Sequence, residues 1–146
     1  MAVLILLLAS WLILRGAGAL GVHALATWQD SARYALSLMF VFTGVAHFNR
    51  MRHDLVKMVP PSVPQPMAAI YLTGVLELMG AAGLLVPRTE RWAAWGLILM
   101  MVAMFPANVR AARQGIPLRG RPATPVWLRT PMQVLFIGLL WWSTRG

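Results

Sequence analysis

The 146-residue chain contains no cysteine. That excludes a disulfide framework, a thiolate nucleophile and thiolate-ligated iron–sulfur chemistry within the chain, so any redox chemistry has to come from a bound cofactor or a partner. Charge is scarce as well. Charged residues make up 12% of the chain and apolar residues 59%, against roughly 25% and 45–50% in an ordinary soluble domain. No HExxH, Gly-rich phosphate loop or nucleophile elbow occurs. Of His23, His47 and His53, only His47 falls inside an apolar run, which argues against a bis-histidine haem, whose two axial ligands must face each other. The ten methionines form no compact thioether set, so no metal site is expected. Alternating apolar and polar residues are lacking too, which excludes a membrane barrel.

What is present is a succession of continuous apolar runs. A hydrocarbon layer of about 30 Å needs roughly 20 mostly apolar residues per helix. Five segments approach that length: residues 1–22, about 33–48, 67–86, 91–109 and 126–144. The expected fold is therefore all-α, a transmembrane bundle of five spans, divided as an N-terminal transmembrane helix (1–28) and a four-helix membrane domain (29–146). The first run also admits a secretory-signal reading, through "GAGA" after an apolar core. No Lys or Arg precedes that core, which favours a retained helix. The segment "MVPPSVPQP" is too rich in proline to be helical.

In a soluble protein the net charge of +9 would suggest nucleic acid. Here most basic residues lie between apolar runs, the pattern left by topology and anionic headgroups, so the bilayer and not nucleic acid is the expected partner. Five spans put Arg50, Arg52, Lys57, Arg110, Arg113, Arg119 and Arg121 on the N-terminal side and Arg33, Arg88, Arg91 and Arg145 on the other. Seven against four predicts a cytoplasmic N-terminus in a bacterial inner membrane. Most of the tryptophans fall near span ends, where the interface holds indoles.

The polar residues inside the runs are the candidate site, because intramembrane ionisable groups are costly. Glu77 sits near the middle of "YLTGVLELMGAAGLLV", and its helical neighbours Thr73, Gly74, Gly80 and Ala81 are all small, which predicts that it points into the bundle. His47 shares a face with Thr43 and Gly44. Asn108 follows Pro106, which frees the carbonyl of Val102 and is expected to bend its helix. Arg129 and Gln133 lie one turn apart. A funnel is expected, with Arg129 and Asn108 at its mouth and Glu77 at its base. Tyr71, Glu77, Asn108, Arg129 and Gln133 would then bind a ligand, with Glu77 and His47 as a proton relay. Bland readings compete with each: Glu77 pairing with Arg15 or Arg129 to lock packing, His47 bonded to a carbonyl, Arg129 reaching headgroups, and Gln133 closing a capping box with Thr130 ahead of Pro131.

In order along the chain, "GVAHF", "MVPPSVPQP", "LTGVLELMGAAGLLVPRTERWAAWG", "FPANVRAA" and "LRTPMQ" resemble the DoxX family of small bacterial membrane proteins over about residues 33–144. The resemblance implies a core of about four spans, with the first run as an added helix. It also implies a link to membrane oxidoreduction, as in a small subunit of a thiosulfate:quinone oxidoreductase or an anchor for detoxifying enzymes; more distant relatives resemble assembly chaperones. The functional expectation is a membrane subunit of a quinone-linked oxidoreductase, a quinone being the candidate cofactor and a membrane or peripheral oxidoreductase the candidate partner. The alternative is a non-enzymatic anchor or assembly factor. A homo-oligomer stays open, and a transporter would require one, since five spans supply no paired inverted repeat.

Overall fold

Continuous apolar backbone can satisfy its own hydrogen bonds only as helix. The computed structural model describes residues 1–145 and shows six helices among them, with no strand. These are α1 (Ala2–Ala19), α2 (Trp28–Ala46), the short α3 (Arg52–Met58), α4 (Pro66–Leu84), α5 (Glu90–Gln114) and α6 (Val126–Ser143), with a single 3₁₀ turn, His23–Leu25, ahead of α2. Helices α1, α4 and α5 are long and apolar enough to cross a membrane. Helices α2 and α6 are of similar length but carry polar side chains toward one end, Gln29, Asp30 and Arg33 in α2 and Arg129 and Gln133 in α6.

Several boundaries follow from capping chemistry. Helix α2 starts before residue 33 because Thr27 caps it: the Thr27 hydroxyl accepts the Asp30 amide at 3.0 Å and donates to the Asp30 carboxylate at 2.6 Å. Helix α5 runs through Pro106 and stops only where Gly115 takes up the left-handed conformation (φ 61°). Helix α6 begins at Val126, so Thr130 and Pro131 lie inside it and Thr130 donates back to the Val126 carbonyl at 3.0 Å. The capping box, the competing reading of Thr130 and Gln133, is therefore not formed.

Helix α2 packs against α1, α4 and α6, and α5 closes the ring by packing against α4 and α6. Every long helix contributes to one apolar core: Leu7 from α1, Leu36, Met39 and Phe40 from α2, Ala81 and Leu84 from α4, Ala94 and Leu97 from α5, Phe136 and Leu140 from α6. The outer surface is apolar too. Ile5, Leu12, Ile13, Leu72, Met79, Leu99, Val102 and Val134 are exposed. An apolar exterior of this extent is a surface suited to lipid, not water.

At the end of the bundle where α2 and α5 begin, Arg33 joins Asp30 at 3.2 Å and Glu90 at 2.5 Å, and the side chains of both Arg33 and Glu90 are 13% exposed. Glu90 occupies the first turn of α5, where the helix dipole favours a carboxylate. Substituting Arg33→Gln would leave that carboxylate half-desolvated without its partner, a loss of about 1–3 kcal/mol. A lower thermal midpoint in detergent is expected for Arg33→Gln and no shift for Arg88→Gln, whose arginine is exposed and, among the described residues, outside any ion pair. Equal midpoints for the two variants would discount the network.

Candidate functional site

The seam between α2 and α4 is where the two helices approach most intimately, and glycine on each side allows it. A Cβ added at Gly44 would lie 2.9 Å from Leu78 Cδ2 and 3.3 Å from Glu77 Cβ; one added at Gly74 would lie 2.5 Å from His47 Cβ and 2.8 Å from Phe48 Cε2. Each helix thus presents a glycine to the other's polar residue. Ser37 adds a further tie, donating to the Ala81 carbonyl at 2.8 Å.

Enclosed by these contacts are His47, 3% exposed, and Glu77, 6% exposed. Their Nε2 and Oε1 atoms stand 3.7 Å apart. Glu77 therefore points into the bundle, with Thr73, Gly74 and Ala81 turned with it towards α2, whereas Gly80 faces Leu97 of α5. No ion pair joins Glu77 to Arg15 or Arg129 among the described residues; its basic companion is His47. Glu77 Oε2 is buried with no hydrogen-bond partner. Thr43 lies beside the carboxyl, within reach of both Glu77 and the Phe40 carbonyl, the latter at 3.3 Å.

The other imidazole nitrogen fixes the chemistry of the pair. His47 Nδ1 lies 2.8 Å from the Ile70 carbonyl oxygen, which has no hydrogen to give, so Nδ1 carries the proton and donates. The Thr73 hydroxyl sits 3.1 Å from the same nitrogen and sends its own hydrogen to the carbonyls of Ala69 and Ile70, leaving its lone pair towards Nδ1–H. Nε2 is thereby turned to Glu77 either bare or protonated. Neutral imidazole beside carboxylic acid and imidazolium beside carboxylate are both net neutral, and both place one proton between the two side chains. Adding or removing a proton would strand a single charge in a sealed apolar setting, at a cost of several kcal/mol. Net neutrality therefore favours a single proton on the pair.

The remaining predicted residues lie on other faces. Arg129 donates to Asn108 Oδ1 at 3.1 Å and to the Thr124 carbonyl at 3.0 Å, so it is tied to protein and not simply extended to headgroups. Gln133 donates to the Met101 carbonyl at 3.0 Å, next to the one that Pro106 deprives of its helical donor. This second polar group joins α5 to α6. Among the described residues no hydrogen bond or ion pair links it to His47 and Glu77. Tyr71 lies apart from both, half-exposed and stacked on Phe48 with ring centroids 5.8 Å apart.

Two open grooves are lined by other residues. One, about 470 Å³, is formed by Asn49, Arg50, Met51 and Asp54 with Arg119. Its first three residues begin two positions after His47 in the chain. A tight turn supplies Arg119: Leu118 and Arg121 exchange both backbone hydrogen bonds at 3.0 Å around Arg119 (φ 52°) and Gly120 (φ 71°). Positive φ at both central positions is the geometry of a two-residue hairpin turn. The sequence "LRGR" carries a glycine as its signal, but an arginine ahead of it is not a residue that announces this turn. The other groove, about 410 Å³, lies between the start of α5 and the end of α6.

No curated protein and no solved structure matches the chain. A family model does, over residues 36–144, from within α2 to the end of α6, taking in both polar groups and leaving α1 outside. On that match the chain belongs to the family described as a domain of unknown function, DUF8561.

Proposed function

We propose that this is a DoxX-like integral membrane protein of a bacterial inner membrane, with α1, α2, α4, α5 and α6 as five spans and the N-terminus in the cytoplasm. In this reading it is the membrane subunit of a quinone-linked oxidoreductase, and Glu77 with His47 exchanges a proton with a bound amphipathic molecule. The observation that carries it is the one-proton pair with a bare carboxylate oxygen, Glu77 Oε2, beside it. A buried acid with an unfilled acceptor can take a proton from, or give one to, a group brought next to it. Electrons would come from a partner oxidoreductase; this chain contributes the proton site, and Asn108, Arg129 and Gln133, which belong to the α5–α6 seam, take no part in it.

Glu77→Gln tests the relay, because the amide keeps the size of the acid and its place beside Nε2 but cannot release a proton at neutral pH. Retained folding, with quinone-linked respiration reduced at least about tenfold, is expected for a relay of this kind. Unchanged respiration together with unchanged quinone retention, read by native mass spectrometry, would reject it.

The seclusion of the pair favours a second reading, in which His47 and Glu77 lock α2 to α4 in an anchor or assembly factor. Deleting the protein should then lower the abundance of one stoichiometric partner, and a Glu77→Gln protein that folds should restore it in full.

A further inference from the structure

The four carboxylate side chains of the chain are all committed. Asp30 and Glu90 serve Arg33, Asp54 serves Lys57, and Glu77 faces His47. Among the described residues this leaves the arginines of the 410 Å³ groove, Arg91 and Arg145, without a counter-charge. Both are held in place by protein. Arg91 Nε donates to the Thr144 carbonyl at 3.2 Å, and the Arg145 guanidinium lies 3.8 Å from the centroid of Trp141. Trp95 and Ile98 complete the lining.

Below the two arginines the surface becomes hydrocarbon. On α5, Trp95, Leu99 and Val102 follow at four- and three-residue spacing, a single helix face, and all three are exposed. On α6, Val134 and Trp141 lie seven residues apart and are exposed, and between them Gly138 has no atom within 4 Å of the position a Cβ would take. Paired cations, then indole rings, then an apolar trough occur in the order met on passing from headgroup to acyl chain.

We infer that the groove between the start of α5 and the end of α6 binds an acidic phospholipid, with its phosphate between Arg91 and Arg145 and an acyl chain along Leu99, Val102 and the open flank of Gly138. The two arginines supply charge complementarity, and the bidentate geometry of guanidinium suits phosphate oxygens. This rests on the membrane reading but not on the quinone-linked one, and its failure leaves the Glu77 experiment untouched.

The test is native mass spectrometry of the full-length protein in mild detergent, with phosphatidylglycerol or phosphatidylcholine added at equal concentration. Wild type is expected to retain phosphatidylglycerol at least tenfold better than phosphatidylcholine. Arg145→Gln, which removes a side chain stacked on Trp141, should cut that preference several-fold, and Arg91→Gln with Arg145→Gln should abolish it. Arg88→Gln, with the same charge change outside the groove, should leave it intact. Equal retention of the two lipids, an equal loss in Arg88→Gln, or displacement of the lipid by millimolar inorganic phosphate would each overturn the assignment.

Discussion

Gly74→Ala is expected to lower the stability of the detergent-solubilised protein by about 1–3 kcal/mol, the usual range for overpacking a filled interior. The added Cβ would meet His47 Cβ at 2.5 Å and Phe48 Cε2 at 2.8 Å. His47 cannot withdraw without breaking its bond to the Ile70 carbonyl, and a β-carbon moves only with its backbone. The seam between α2 and α4 would therefore have to open. Gly16→Ala provides the contrast, since nothing lies within 4 Å of the new carbon and a helical alanine is favoured over glycine by up to about 1 kcal/mol. Thermal unfolding followed by size-exclusion fluorescence should move the two midpoints in opposite directions. A Gly74→Ala protein as stable as wild type would mean that the helices do not meet as closely as the geometry gives them.

The second large effect concerns the pair itself. His47→Leu leaves an acid without its base, and Glu77→Leu leaves a base without its acid. Removing one partner of a buried pair costs about 3–5 kcal/mol, whereas replacing both with apolar residues of similar volume is often close to neutral. The double substitution is therefore expected to be more stable than at least one of the singles, with a coupling of about 0.5–3 kcal/mol. Strictly additive losses would show that the 3.7 Å approach of Nε2 and Oε1 carries no interaction.

Much of this architecture was legible in the residues. The apolar runs at 67–86 and 126–144 became α4 and α6 with ends within about two residues, because a continuous apolar run satisfies its backbone as helix. The small residues around Glu77 correctly indicated a side chain turned inward. Three things were less readable. The end of α5 lay at Gln114, five residues past the expected 109, because the helix continues through Pro106 until Gly115 turns left-handed. The competing capping-box reading of Thr130 and Gln133 failed, because α6 already begins at Val126 and Thr130 bonds back into its own helix. The expected meeting of Asn108, Arg129 and Gln133 with His47 and Glu77 depended on which seams face each other. Equal depth does not imply contact: α2 with α4 holds one group and α5 with α6 the other.

The carboxylate of Asp54 reaches Lys57 on its own helix at 3.4 Å and the backbone N–H of Arg119 at 3.1 Å, 65 residues further along. One belongs to the connection between α2 and α4, the other to the connection between α5 and α6. Arg110 adds a second stitch, donating from α5 to the Val59 carbonyl at 2.7 Å. The halves of the molecule that carry the two polar groups are thus buckled together outside the apolar core. Loss of the Asp54 carboxylate would therefore release the α5–α6 connection together with Lys57, although Asp54 and Arg119 lie 65 residues apart in the chain.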